Sequence, residues 1–331
     1  MSDLVSIAIP TYNRLGLLKP ALDSVLAQTY ENMEIIISDN NSEDGTIDYL
    51  KSLHDPRVKV FFSQENRGMA GNWQKCLINA TGKYFLLLSD DDILMSSDAI
   101  TKLVSAFEGD NEKKIGMVFC DVITGDKLEE KKLREFQKHY SSTEIDLYIY
   151  SEPINFITFF LLGKIKIFPS ATLLRREDVL DLGGYVQEGL KLSVDFFIWY
   201  NLLLKYKNTV RVPQTLVFYR IHNNLTGASC DSWLSDFDWL INNIKENTTL
   251  MADIKSSIEK ELKEAKGRIP IVHIKKALVE QGISKLGVAM KNVLKYREVI
   301  FTKENLNYTV QKILRKDYQN TPAYFHKKIK Y

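Results

Sequence analysis

Cysteine is scarce in this chain: Cys76, Cys120 and Cys230 are the only three in 331 residues, far apart and without a CxxC pair. Such spacing indicates neither a zinc site nor a disulfide framework, and free thiols fit a reducing compartment. Long hydrophobic runs are also missing. None reaches the ~18–20 residues that a bilayer-spanning helix needs. The longest apolar patch, Phe156–Leu162 (FITFFLL), reads as buried helix. The chain opens without a basic stretch and its first apolar run breaks at Pro10, so no signal peptide is read. A cytoplasmic location is expected, with any membrane contact peripheral and on the cytoplasmic face. No GxGxxG follows the first strand and no GxxxxGK[ST] occurs, which counts against a dinucleotide site and a P-loop. There is no fixed-period repeat and no low-complexity tract, and no nucleic-acid partner is expected.

Net charge is nearly absent too, at +2, but the balance is uneven. Residues 251–331 hold 18 Lys and Arg against 8 Asp and Glu, whereas residues 1–250 hold 26 against 34. The acidic part needs a cation or a polar substrate, and the basic tail suits an anionic surface. With 45% apolar and 26% charged residues the chain is an ordinary globular composition, long enough for one large domain or two smaller ones.

The first ninety residues alternate strand and helix. Leu4–Pro10 is rich in β-branched residues and stops at proline, as a buried strand does. Leu18, Leu22, Val25 and Leu26 then recur at helical spacing within Leu15–Gln28. Glu34–Ser38 and Val58–Phe62 read as strands, Ile47–Leu53 and Asn72–Ala80 as helices. Tyr84–Leu88 is the fourth strand, running into Ser89, Asp90, Asp91 and Asp92. This β-α-β-α-β-α-β order predicts a parallel sheet covered by helices, with a ligand at the carboxyl ends of its strands. Three of those ends carry polar turns: Thr11–Arg14, Asp39–Asp44 and Ser89–Asp92.

The acidic turn is the chemically telling one. Three adjacent carboxylates repel unless a cation or a helix N-terminus compensates them. Hard oxygen ligands in such a cluster suit Mg²⁺ or Mn²⁺ held together with substrate phosphates. The plainer alternative is a solvated turn in which Asp92 caps the next helix. Later stretches read less clearly: a helix over Ala99–Phe107, a strand over Gly116–Cys120, an exposed excursion over Gly125–Ser142, and a strand over Ile165–Leu174 interrupted by Pro169. Arg175–Leu182 reads as a helix stopped by Gly183 and Gly184, Val194–Leu204 as a helix, and Val210–Tyr219 as a strand. Beyond Asp231, residues Trp233, Leu234, Phe237, Leu240, Ile241 and Ile244 share one helical face, and helical patterns continue to about Leu314.

Over roughly residues 4–229 these stretches resemble the family 2 glycosyltransferases, inverting enzymes with a GT-A fold. VSIAIPTYNR resembles their opening strand and turn, and IIISDNNSEDGT their second strand and acidic turn. ENRGMAGNWQKCLINATGKYFLLLSDDD resembles the loop, helix and strand leading to the DxD motif. LKLSVDFFIWYNLLLKY resembles the segment of the catalytic base, and VFYRIHNNLTGAS the Tyr-Arg-x-His segment that follows. Two departures stand out. Ser89 replaces the first acid of an Asp-x-Asp-Asp form, and Val194 replaces the Glu that often precedes the base.

The resemblance implies an α/β fold of GT-A type, a Rossmann-like mostly parallel sheet flanked by helices, with a helical C-terminal extension. It implies a catalytic domain over residues 1–229, its donor half about 1–95 and its acceptor half about 96–229, then a basic helical region over 230–331. Pro10, Thr11 and Tyr12 would line the nucleobase and ribose, Arg14 the phosphates, and Asp39 would accept from the imide N–H of uracil. Asn66 and Gly68 would shape the donor loop, beside Ser89 and Asp90. Asp91 would bind Mn²⁺ or Mg²⁺, with His222 a second metal ligand or a simple hydrogen-bonding residue. Asp195 would be the general base, or a helix N-cap. Asp44 supports the nucleotide or, the stronger reading, ties the turn with Gly45 and Thr46; Trp73, Trp199 and Trp233 read as core.

The implied reaction moves a hexosyl or N-acetylhexosaminyl group from a nucleotide-diphosphate sugar, with UDP favoured, to a saccharide or lipid-linked saccharide of the cell envelope. Competing readings are a nucleotide-sugar-binding protein without catalysis and a sugar-nucleotide nucleotidyltransferase; the latter usually carries GxGTRL where this chain has IPTYNR. In the basic region Ile283, Leu286, Met290, Val293 and Leu294 form an apolar stripe. Packing on the catalytic domain, self-association into a homo-oligomer and membrane docking are its three readings, the last kept for Phe325–Tyr331.

Overall fold

A computed structural model of the chain describes residues 2–126, 146–151, 167–206, 208–221 and 230–247, scattered residues between 252 and 270, residue 295 and the strand Lys327–Lys330. The first four strands pair with one another in parallel. Strand β1 (Val5–Thr11) pairs β2 (Met33–Asp39) on one side and β4 (Tyr84–Leu87) on the other, and β2 pairs β3 (Val58–Phe62). Helices α1 (Leu15–Leu26), α2 (Thr46–Lys51) and α3 (Gly68–Asn79) connect them.

The reason for a sheet buried on both faces lies in the side-chain period of two. Ile7, Ile9, Ile35, Ile37 and Leu86 point into one core with Leu18, Leu22 and Val25 of α1. Ala8, Ile36, Phe85 and Leu87 point into the other with Trp73, Cys76 and Leu77 of α3. Each fully buried Ile or Leu contributes roughly 1.5–3 kcal/mol. Helix α3 begins a turn before the expected Asn72, because Gly68 and Gly71 weaken the helical signal of a turn that tertiary contacts hold.

Past β4 the sheet becomes mixed. After β5 (Ile93–Leu94) and α4 (Ala99–Ser105) come β6 (Ile115–Gly125) and β7 (Asp146–Tyr150). A 3-10 turn over Pro169–Ala171 leads into β8 (Thr172–Arg175), which lies antiparallel between β4 and β6. The predicted strand from Ile165 is therefore shorter, its first described part being turned by Pro169. Helix α5 (Arg176–Asp181) ends at Gly183 and Gly184, both in the left-handed region at φ +85° and +76°. A Cβ on Gly184 would collide with Gln74, whose Oε1 accepts from Tyr185 N–H at 2.6 Å. That close approach seats Tyr185 edge-on to Trp73, centroids 5.5 Å apart.

Helix α6 (Val194–Lys205) precedes β9 (Asn208–Arg220), which runs parallel to β6. Pro213 falls at a register shift of that pairing, where no ladder N–H is required. Helix α7 (Cys230–Glu246) buries Leu240, Ile241 and Ile244 in the core shared with α6 and α3. Strand β10 (Lys327–Lys330), within the stretch read as a membrane contact, pairs antiparallel with β7 at the sheet edge. No helix among the described residues is long and apolar enough to cross a membrane. The apolar stripe Ile283–Leu294, Phe156–Leu162 and the excursion after Asp126 lie outside the described residues.

Candidate active site

The carboxyl ends of β1 and β4 meet in a compact polar cluster. Thr11 donates its hydroxyl proton to Asp90 Oδ2 at 2.8 Å, and Arg14 donates from Nη1 to Asp90 Oδ1 at 3.2 Å and Asp91 Oδ2 at 3.0 Å. Arg14 reaches both because it ends the β1 turn at the head of α1. The three carboxylates differ in surroundings. Burial pushes Asp90 up to about 6, against the pull of Arg14, and pushes Asp92 up to about 7, helped by the charge of Asp91.

Asp92 is neither a solvated acid nor a helix cap. It is buried and accepts from the Ser170 hydroxyl and from Arg220 N–H at 2.9 Å. Ser89 donates its N–H to Ser170 Oγ at 3.0 Å, and Arg220 Nε donates to Asp91 carbonyl oxygen at 3.0 Å. The acidic turn is thereby stitched to the ends of β8 and β9, and Asp98 rather than Asp92 precedes α4.

For a divalent cation the donor chemistry is suitable at Asp91. Its side chain keeps 14% of its surface exposed while accepting from Arg14, whereas Asp90 and Asp92 are more deeply buried. Among the described residues no group of three or more His, Cys, Asp or Glu forms a protein-only metal cage. A cation completed by diphosphate oxygens needs fewer protein ligands. His222 lies outside the described residues.

A second polar cluster lies at the end of β2. Asp39 is fully buried, and its Oδ2 accepts from Asn41 N–H at 3.1 Å and Ser42 N–H at 3.0 Å. Its Oδ1 has no partner. An orphaned buried acceptor costs roughly 1–3 kcal/mol, a cost that a ligand N–H would relieve. Tyr12 is 42% exposed next to it in the β1 turn, free of the core.

Asn40 ties the neighbouring loop down: it donates to Asn66 Oδ1 at 2.8 Å and accepts from Arg67 N–H at 2.9 Å. Asn66 Oδ1 in turn accepts from Gly68 N–H at 2.8 Å, where φ is +71°. Asn72 donates to the carbonyls of Thr11 and Ser38, clamping the ends of β1 and β2. Asp44 does more than tie its own turn, since it also accepts from Leu15 N–H at 2.9 Å and so caps α1.

Asp195 stands in the first turn of α6, with Oδ1 accepting from Phe196 N–H at 2.8 Å. Loss of hydration pushes its carboxyl up to about 6, against those helix-terminal N–H groups. Tyr219 links this side to the acidic turn. Burial, then the charges of Asp92, Asp91 and Asp195, all raise its phenol, and its ring packs on Phe168 at 4.1 Å between centroids.

Of the residues singled out by sequence, Thr11, Arg14, Asp90 and Asp91 are in direct contact, with Ser89 adjoining, and Asp39, Asn66 and Gly68 are joined through Asn40. Pro10 lies in β1 and Asp195 in the first turn of α6. Asn40, Asn72, Ser170, Tyr219, Arg220 and Asp236 were not singled out. Tyr219 and Arg220 carried a signal, as part of YRIH; a lone Asp236 on a mostly apolar helix face carried little. Trp73 and Trp199 are core residues. A separate cavity of about 460 Å³, lined by Asp3, Lys83, Phe107 and Arg175, lies at the other end of the strands.

The family model "Glycosyl transferase family 2" matches residues 6–176. A GalNAc(5)-diNAcBac-PP-undecaprenol beta-1,3-glucosyltransferase of Campylobacter jejuni is 38% identical over 108 residues, which are 32% of this chain and 35% of that relative. The chain thus spans about a third of that relative's length. An uncharacterized glycosyltransferase of Rickettsia prowazekii is 26% identical over 330 residues, 95% of this chain and 96% of its own. Among solved structures, S. aureus TarS 1–349 in complex with UDP-GlcNAc shares the fold at a TM-score of 0.62, 15% identity, and coverage of 95% and 93%. The mannosyltransferase PcManGT of Pyrobaculum calidifontis, in complex with GDP-Man and Mn²⁺, shares it at 0.56, 14% identity, and coverage of 96% and 89%.

Proposed function

The chain belongs to glycosyl transferase family 2 and is a transferase by that membership; on this premise we propose that it moves a sugar from a UDP-sugar to a hydroxyl of a saccharide or lipid-linked saccharide. The observation that carries the reading is the unpartnered Asp39 Oδ1 beside the Thr11–Asp90–Arg14–Asp91 cluster, an acceptor for a base next to groups for a diphosphate. Asp39 Oδ1 accepts the imide N–H of uracil, and Tyr12 covers the ring. Arg14 faces the phosphates. Asp91 would hold Mn²⁺ or Mg²⁺, which supplies charge neutralisation for the departing diphosphate.

Asp195 takes the proton of the acceptor hydroxyl as that oxygen attacks the anomeric carbon, and the configuration inverts in one displacement. Its raised carboxyl suits it to accept a proton near neutral pH. The lipid-linked acceptor is supported by the undecaprenol-linked saccharide in the name of the Campylobacter relative, and UDP by the TarS complex. We assign a donor half of about 1–95, an acceptor half of about 96–229 and a basic region over 230–331, and give the peripheral contact with anionic membrane to its tail, Phe325–Tyr331, whose strand Lys327–Lys330 lies at the sheet edge. Failure to co-float with anionic liposomes at low salt overturns that contact.

The direct test is UDP release from a panel of UDP-sugars with and without Mn²⁺. Metal-dependent release that falls in Asp91→Ala and Asp195→Asn supports the reading. Pyrophosphate production would point to a nucleotidyltransferase instead, and wild-type transfer by Asp195→Asn with a verified acceptor would overturn the base.

A further inference from the structure

Helix α7 lies beyond the segment matched by the family model, yet it grips the stretch that leads to Asp195. Asp236, buried on α7, accepts from three consecutive backbone N–H groups: Lys191 at 3.1 Å, Leu192 at 2.6 Å and Ser193 at 2.7 Å. Ser193 is the N-cap of α6 and makes no side-chain cap of its own. Donors at a helix start need acceptors, and here a carboxylate from another helix supplies one. Further along the same face, Trp239 donates its indole N–H to Glu188 carbonyl oxygen at 2.7 Å, and Tyr200 of α6 donates to Asn243. Gly189 permits this contact, because a Cβ there would meet Trp239 Cδ1 at 2.9 Å.

We propose that Asp236 is a positioning residue for Asp195, holding residues 191–193 so that the first turn of α6 presents the Asp195 carboxylate in one place. The proposal rests on Asp195 as the base. Besides geometry, Asp236 adds a negative charge near that carboxylate. Among the described residues, the titratable groups whose charges act on or with Asp195 are Tyr185 from the loop after α5, Tyr219 from β9 and Asp236 from α7. Burial raises the Asp195 carboxyl most, its helix-terminal N–H bonds lower it, and Asp236 raises it again. Aspartate and asparagine are comparable caps. Asp236→Asn therefore keeps an oxygen that accepts from Leu192 and Ser193 while removing the charge and the oxygen that faces Lys191 N–H, whereas Asp236→Ala removes all of them.

The test is carboxyl ¹³C NMR titration of the Asp-labelled full chain, with Asp195→Asn assigning the Asp195 signal. In Asp236→Asn the Asp195 midpoint moves down from about 6, while UDP binding and thermal midpoint stay near wild type. In Asp236→Ala the 191–193 amides exchange faster with solvent and kcat falls without a matching rise in donor KM. An unmoved Asp195 midpoint in Asp236→Asn overturns the electrostatic part. Unchanged amide exchange in Asp236→Ala overturns positioning; if that variant does not fold, Asp236→Ser, which keeps a capping oxygen but not the reach, is read the same way. Undiminished transfer in Asp195→Asn would instead overturn the base reading, leaving the titration and exchange results standing.

Discussion

Asp39 and Asp195 are two carboxylates whose backbone is fixed by N–H groups, but the fixing is built on different scales. Asp39 is held by amides two and three residues ahead of it, in the turn that its own strand makes. The helix start that carries Asp195 is held by Asp236, between 43 and 45 residues away. In the proposed donor site the Asp39 turn is local, although Arg14 reaches Asp90 and Asp91 across 76 and 77 residues of chain. An acceptor-side group set by a distant helix depends on the packing of α6 against α7, through Tyr200 and Asn243 and the shared apolar core. The two halves should therefore be separable by mutation.

The largest separation is expected from Asp195→Asn. Loss of a general base costs ~10²–10⁴-fold in rate, and the proposed base Asp195 lies on α6, whereas Asp39 is held by Asn41 and Ser42 and Asp91 by Arg14. Transfer should collapse while UDP affinity, read by calorimetry, is unchanged. A parallel loss of UDP binding would break the division between halves. In the wild type, transfer that depends on ionised Asp195 should rise as the pH climbs through about 6.

Within the donor half, Glu34 is the main acid-sensitive tie. Its Oε1 accepts from Ser6, from Thr81 and from Gly82, and its Oε2 pairs with Lys59 at 2.7 Å. Burial opposes ionisation, but Lys59, Ser6 and Thr81 outweigh it and hold the carboxyl down at about 2. The folded value lies below the ordinary one, so the stability is fully present above pH ~4.5 and is lost as pH falls toward about 2. At ~1.4 kcal/mol per unit that is on the order of a few kcal/mol. Glu34→Gln should lower the thermal midpoint at pH 7 and flatten its decline below pH ~4.5, and an unchanged acid profile would remove Glu34 from this role.

Asp39→Asn probes the local side of the comparison more gently. A hydrogen bond to a charged acceptor is worth about 1.5–3 kcal/mol, so UDP should bind ~10–100-fold more weakly, with slow hydrolysis of bound donor little altered per molecule bound. Equal weakening of UDP and CDP would mean that Asp39 does not read the imide edge.

These scales also explain what could be read from sequence. Val58–Phe62 and the strand beginning near Leu4 show their β-branched periodicity directly, and the acidic turns after Ser38 and Leu88 stand next to the strands that carry them. Strand β6 was harder: it reads as Gly116–Cys120 on sequence, with Gly125 in an exposed excursion, yet pairing with β9 and the Arg211–Asp121 ion pair extend the strand to Gly125. The Arg14 contacts with Asp90 and Asp91 span 76 and 77 residues, and nothing local announces them. Asp236 is the extreme case. On sequence it is one more polar residue in a helix, and only the fold turns it toward Lys191–Ser193.

The smallest effect, and the finest test of local holding, is at Asp44. Its carboxylate accepts from Leu15 N–H, Thr46 N–H and the Thr46 hydroxyl, joining the β2 turn to the head of α1. Slight burial opposes ionisation, but these N–H groups prevail and hold the carboxyl below its usual range. Loss of a cap costs typically ~1 kcal/mol, and Asp44 is exposed, so Asp44→Ala should lower stability by about that much. Arg14 sits at the same helix head, one residue before Leu15, and it also reaches Asp90 and Asp91. If the turn acts only as a scaffold, Asp44→Asn should restore stability and the UDP affinity of both variants should match wild type. If Asp44→Ala weakens UDP binding well beyond its stability cost, the head of α1 is positioning Arg14, and the donor half too would depend on a second layer of residues, as the acceptor half does on Asp236.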